Sequence, residues 1–305
     1  MTLENKLKSV CKNCTTATIK TYVRGIKRLY ALTHDTNEVK LDSKWLNDAL
    51  LTKLKSLPLN VRRHLSIAAV KYAQAIKASD KVLEKFQKQM LDDALKYKQQ
   101  RGKNEWSDKE LAKKPKGGMK SIKKASGQIL AKVKRLIENE KEPSLKTLFR
   151  YQTYLLLKLY FEVPLRNTFA TFDLVDKKTN NYIKTGKGNF ILIIRQHKNS
   201  KKTGSTEIKL SRAATMAVRK FLKYKSKVQD TDFLFSNMKG QKLSKQSLSK
   251  MLHRTTTDFL GKSFGSRMIR ILAATEKKDE IEAVQKLAKN MLHSVEQQKT
   301  YVRKS

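Results

Sequence analysis

Tyr301 is the only tyrosine downstream of Ser266-Arg267-Met268-Ile269-Arg270, a segment that spaces two arginines three residues apart. Residues at that spacing share one side of a helix. Arg267 and Arg270 therefore offer two guanidinium groups able to grip a phosphate through several charge-assisted hydrogen bonds. His293 precedes Tyr301 by eight positions. Paired arginines, an imidazole and a late phenol are the parts of a phosphoryl-transfer site with tyrosine as the nucleophile. A phosphodiester is anionic and repels nucleophiles, so cations must neutralise the charge that grows in the transition state. Such preorganised electrostatics are commonly the largest catalytic contribution. A free phenol has a pKa of about 10 and is mostly neutral; nearby cations favour its phenolate.

Further candidates lie upstream. Arg166 follows a long apolar segment, in Val163-Pro164-Leu165-Arg166-Asn167, where packing would anchor it. Lys198, Lys201 and Lys202 fall in a polar turn between two strand-like stretches, within reach of a DNA groove or of a leaving oxygen. Lys123, Lys124, Lys245 and Arg254 are further candidates for contacting DNA. Taken singly, each signal is weak. An R-x-x-R pair on a basic protein is usually a solvated face, and a turn lysine is usually solvated too.

The bulk composition agrees with a polyanionic partner. The 305 residues include 67 Lys and Arg against 27 acids, a formal net charge of +40. Such an excess attracts nucleic acid, and together with the late tyrosine and the paired arginines it suggests double-stranded DNA; lysine-favouring codon usage accounts for part of the excess but not for where the arginines stand. Hydrophobic residues at 39% supply real cores, which excludes a disordered chain. With 11 Gly and 4 Pro, tight turns are few and helices should dominate. The apolar run Tyr154–Phe161 is too short to span a bilayer and contains Lys158. The first residues lack the charged-then-apolar order of a signal peptide, so a soluble, intracellular protein in a DNA-containing compartment is expected. Cys11 and Cys14 form a lone C-x-x-C. A zinc site needs four ligands and no second pair has ligand spacing, so no metal or other cofactor is expected, and the two read as small residues before a helix.

Apolar periodicity predicts four amphipathic helices in residues 1–100. The first is capped by Thr16 and carries Ile19, Val23, Ile26 and Leu29. The second carries Trp45 to Leu54, and the third follows Asn60. The fourth presents Val82, Phe86, Leu91 and Leu95. Lys98–Lys103 reads as the linker to a second domain, 105–305. There Ser107-Asp108-Lys109-Glu110 forms a capping box, and Lys113–Gly118 with Lys120, Lys123 and Lys124 reads as a solvated basic loop touching DNA, with a nuclear-targeting tract as the alternative. A buried helix follows Ser144. Phe190–Ile194 and Ser205–Leu210 make a hairpin around the turn Asn199–Gly204. Helices then follow Ser211, Ser244 and Ser266, the last with Met268, Ile271 and Leu272 facing the core. A final helix carries Ile281, Val284, Leu287 and Met291 and ends at His293. The fold class is mainly α with a small antiparallel β-hairpin or sheet.

The order of these residues resembles the tyrosine recombinases, or phage-type integrases. That family has an arginine after a buried helix, a lysine on a β-hairpin, an H-x-x-R segment, a later His or Trp and a terminal tyrosine. The matching residues are Arg166, Lys198, Arg267 with Arg270, His293 and Tyr301. Gly265–Thr275 (GSRMIRILAAT) is similar to the family's H-x-L-R-H-x-F-A-T stretch, and Asn290-Met291-Leu292-His293-Ser294 to its L-G-H-S stretch. The helical N-terminal half, with Thr18 and Tyr22 at the start of its first expected helix, is similar to the core-binding domain. Three positions and one spacing depart from the pattern. Arg267 stands in place of His and cannot accept a proton; Leu292 replaces Gly; Phe169 replaces an acidic residue; and the His293–Tyr301 spacing is one residue short.

The resemblance implies a two-domain architecture of a helical core-binding domain and a mixed catalytic domain. It implies a covalent 3′-phosphotyrosine link, a 5′-hydroxyl leaving group served by Lys198, and no need of ATP or metal. It also implies a homo-tetramer on paired sites, for integration of a mobile element or virus; charge repulsion would leave the free protein a monomer. Two other readings stay open: a type IB topoisomerase with similar chemistry, and a catalytically silent DNA-binding protein, which the Arg267 substitution keeps alive.

Overall fold

The computed structural model describes residues 2–185, 188–197, 200–291 and 295. Two compact units result, Met1–Trp106 and Ser107–Ser305.

In the first unit the described helices are α1 (Leu3–Val10), α2 (Thr16–Tyr30), α3 (Asp48–Lys55), α4 (Leu59–Ala75) and α5 (Asp80–Gly102). Helix α1 was not legible in the pattern, being two turns long. Thr15, not Thr16, caps α2, its hydroxyl accepting from the Thr18 amide at 3.2 Å. Trp45 and Leu46 are buried but lie in the turns before α3. Trp45 donates its indole N–H to the Tyr72 hydroxyl at 3.3 Å, which fixes that turn on α4. Cys11 and Cys14 are joined in a disulfide just before α2.

Gly25 lets α2 close on α4. A Cβ at this position would lie 2.9 Å from Ala68 Cβ. Gly25→Ala gains about 1 kcal/mol of helix propensity but overpacks the crossing, so a net loss of about 1–2 kcal/mol is expected. Urea unfolding checks this: the midpoint should fall with an unchanged slope, and a raised midpoint would show that the two helices separate freely.

Helix α5 corrects two sequence expectations. Leu91 and Leu95 are 62% and 56% exposed, not inward. The helix buries Phe86, as expected, but beside it Gln89 and Asp93. The Asp93 carboxylate accepts from Arg62 Nε at 2.7 Å, Ser66 Oγ at 2.8 Å and Gln89 Nε2 at 2.9 Å. A buried carboxylate met by three donors keeps its charge inside, and apolar periodicity has no means of showing that. The second correction is the linker. Lys98–Gly102 is helical because Lys, Gln and Arg are good helix formers that override one terminal glycine; the non-helical connection begins at Lys103.

The second unit contains α6 (Asp108–Lys113), α7 (Gly118–Asn139), α8 (Leu145–Glu162), a 3-10 turn (Asn167–Thr171), β1 (Phe172–Asp173), β2 (Asn181–Thr185), β3 (Phe190–Ile194), α9 (Ser200–Thr203), β4 (Thr206–Lys209), α10 (Arg212–Val228), α11 (Lys245–Leu260), α12 (Ser266–Glu276) and α13 (Lys278–Asn290). The expected hairpin is part of a four-stranded sheet in the order β1-β2-β3-β4, with β1 parallel to β2 and the other pairs antiparallel. The first two strands escaped the sequence reading because β1 has two residues and β2 is half polar. The mainly helical architecture with one small sheet is as expected. Residues 118–124 form the first turns of α7 in place of a basic loop; Met119, Ile122, Ala125 and Ile129 recur at helical spacing and are buried. Ser107, Ser144, Ser211 and Ser244 stand at the N-termini expected of them. The cap of α12 is Gly265, with Ser266 already helical. Among the described residues no helix is long and apolar enough to cross a membrane.

Candidate active site

Helix α8 is the base of the site. Leu148, Leu155, Leu156, Leu159 and Tyr160 are all buried, so its C-terminal end is rigid. Val163-Pro164 ends the helix, since proline cannot continue the ladder. The chain then turns at Arg166, which precedes the 3-10 turn. Tyr160 donates its hydroxyl to the Arg166 carbonyl at 2.9 Å. Burial raises the Tyr160 pKa strongly, so this phenol stays a donor. The Arg166 residue itself is exposed, which corrects the expectation that packing would anchor its side chain: the anchor is on the backbone, through the carbonyl.

Asn167 is the hub that the sequence reading missed. Its side-chain oxygen accepts from Ser266 Oγ, at the start of α12, at 2.8 Å. Its amide donates to the Lys245 carbonyl, at the start of α11, at 3.3 Å. One side chain thus gathers the Arg166 turn and the N-termini of two helices. Those termini carry partial positive charge, which suits an anion. Lys245 is the first residue of α11 and is exposed. Arg267 and Arg270 are likewise exposed, on α12. The core-facing arc of α12 is Met268, Ile269 and Leu272, with Ile271, expected inside, only half-buried. Arg267 donates from Nη2 to Glu110 Oε1 at 2.7 Å.

A second missed asparagine, Asn181, holds the stem of the β3–β4 segment. It is buried, its oxygen accepting from the Arg195 and Gln196 amides at 2.8 and 2.7 Å. Its amide donates to Thr171 Oγ1 at 2.7 Å and to the Gln196 carbonyl at 2.9 Å. The exit of β3 is thereby tied to the turn that begins after Arg166. At the far side of the stem, His197 Nε2 lies 3.1 Å from the Gly204 carbonyl. Lys198 itself, with His293 and Tyr301, lies outside the described residues. Lys201 and Lys202 fall within α9.

The remaining candidates separate. Lys123 and Lys124 are exposed on α7, and Lys123 Nζ lies 5.9 Å from the Phe161 ring, near the end of α8 that leads to Arg166. Arg254 is 84% exposed and 4.0 Å from Asp258. At 1.5 Å per residue it stands about 14 Å along α11 from Lys245, so it is not part of the Asn167 cluster. His253, not singled out from sequence, packs against the N-terminus of α12: a Cβ on Gly265 would lie 3.0 Å from its Nε2. Its Nδ1 lies 3.0 Å from Ser263 Oγ. Among the described residues no group of His, Cys, Asp or Glu could hold a metal ion.

The fold is that of the tyrosine recombinases. The chain is similar to XerH site-specific recombinase bound to difH substrate, a pre-cleavage complex, with a TM-score of 0.54 and 16% identity over 99% of this chain and 81% of that one. It is also similar to XerH bound to palindromic difH substrate, a post-cleavage complex, with a TM-score of 0.52 and 15% identity over 96% of this chain and 79% of that one. No protein-family description matches the sequence, and no curated protein matches it.

Proposed function

We propose that the chain is a site-specific DNA recombinase or integrase that cleaves and rejoins DNA through a covalent 3′-phosphotyrosine on Tyr301, in the service of a mobile element or virus. The observation that carries this reading is the convergence on Asn167 of the Arg166 turn, the Arg267–Arg270 helix and the start of α11. It stands within a fold whose similar structures are recombinases bound to DNA substrate. In this reading Arg166 and Arg270 clamp the scissile phosphate, with Arg267 and His293 assisting. Lys198 protonates the leaving 5′-oxygen. The covalent link conserves the energy of the broken bond, so rejoining needs no ATP or metal. Protomers of net charge +40 repel one another until DNA neutralises them, and a homo-tetramer assembles on paired sites. A catalytically silent DNA-binding protein is the second reading, favoured by Arg267 in the usual histidine position.

A nicked suicide duplex separates the two. Loss of the short 5′-hydroxyl fragment downstream of the scissile phosphate should strand the protein on DNA as a complex that survives denaturing electrophoresis. No such complex on any duplex, with DNA binding intact, would favour the silent reading. Exchange between two sites on separate DNA molecules would then distinguish a recombinase from a topoisomerase, which relaxes supercoils at a single site.

A further inference from the structure

Arg267 is not free to choose its own orientation. Its Nη2 donates to Glu110 Oε1 at 2.7 Å, and Glu110 comes from α6, 157 residues earlier in the chain. The Glu110 side chain is 13% exposed, against 69% for Arg267. Its other oxygen, Oε2, accepts from the Ser107 backbone amide at 3.2 Å and from Ser107 Oγ at 2.9 Å. The capping box therefore holds the carboxylate, and the carboxylate holds the guanidinium.

An exposed ion pair between mobile side chains contributes little to stability, with a median of about 0–1 kcal/mol. Here one partner is nearly buried and fixed by the helix cap, so the Arg267 geometry is preset before any ligand arrives. A guanidinium carries five N–H donors. Nη2 meets Glu110, and most of the Arg267 side chain faces solvent, so it can still reach a phosphate oxygen.

We propose that Glu110 is a positioning residue for the DNA-cleaving reaction, orienting Arg267 toward the scissile phosphate from the capping box of α6. This rests on the recombinase reading. Glu110→Gln is the informative change, because glutamine still completes a capping box with serine while removing the charge that holds Arg267.

Two measurements on the full chain test it. In spectra of 15N-labelled arginine guanidinium groups, with Arg267 assigned through Arg267→Lys, rotation of Arg267 should be slow in the wild type and fast in Glu110→Gln. In single-turnover cleavage at saturating suicide duplex, Glu110→Gln should slow covalent-complex formation by roughly 10–100-fold, up to the loss that a 1 Å misplacement of a catalytic group costs. DNA affinity should be unchanged, and Glu110→Asp should recover part of the rate. In an Arg267→Ala background, Glu110→Gln should have no further effect. The same loss in that background would mean that Glu110 acts through the helix cap, and unrestricted Arg267 rotation in the wild type would mean that the contact positions nothing; either overturns the proposal. A wild type that never cleaves while Arg267 rotation still responds to Glu110→Gln would sink the recombinase reading and leave the positioning contact standing.

Discussion

Tyr301→Phe is expected to abolish covalent-complex formation while leaving DNA binding within about twofold of the wild type. The substitution deletes one hydroxyl and almost no surface, so any binding surface survives. The chemistry does not, because without the phenolic oxygen there is no atom to form the bond to phosphorus. Removing a true nucleophile commonly costs at least about 10⁴-fold in rate, which on a suicide-substrate gel is disappearance of the shifted band. A mobility-shift assay at matched salt supplies the control, since affinity for DNA is salt-dependent. Persistent covalent product in the Phe variant would move the nucleophile to another residue. Tyr160, Tyr151 and Tyr154 are poor substitutes: burial pushes the Tyr151 phenol up to about 12 and raises the other two as well, so none of them readily becomes a phenolate.

Arg166→Ala and Arg270→Ala should each slow cleavage by roughly 10²–10³-fold, equivalent to about 3–4 kcal/mol of transition-state stabilisation. The structure makes these clean experiments. The Arg166 turn is held through its carbonyl by Tyr160 and through its neighbour Asn167, so truncating the side chain leaves the turn in place. Arg270 is exposed on a helix whose packing rests on Met268, Ile269 and Leu272. Folding stability should therefore move by less than about 0.5 kcal/mol in either variant, and the rate loss can be assigned to the clamp. If both arginines bind one phosphate, the double variant should lose less than the product of the single losses. Arg254→Ala, far along α11, is the contrast and should leave the cleavage rate within about twofold, as surface positions do. Equal losses for Arg254→Ala and Arg270→Ala would mean that net charge, rather than a clamp, governs the reaction.

Much of the architecture was legible in the amino-acid order because the forces concerned are local. Helix starts at Ser107, Ser144, Ser211 and Ser244 follow from a side-chain oxygen capping amides within the next turn. The strand Phe190–Ile194 follows from a dense β-branched and aromatic run. The spacing of Arg267 and Arg270 on α12 is set by helical pitch alone. The order Arg166, Arg267, Arg270, Tyr301 and the basic composition carried the functional reading.

Other features only tertiary structure decided, and each depends on groups distant in the chain. Asn167 meets partners 78 and 99 residues away, and Asn181 joins the β3 exit to the turn after Arg166. No local pattern distinguishes such an asparagine from one in a loop. The inward face of α5 was misread because Asp93 is buried with Arg62, Ser66 and Gln89. A satisfied carboxylate can occupy a core position that periodicity reserves for leucine. The same holds for Arg267: its place on a helical face was readable from pitch, but the carboxylate that orients it comes from a cap 157 residues earlier, and only folding brings the two together.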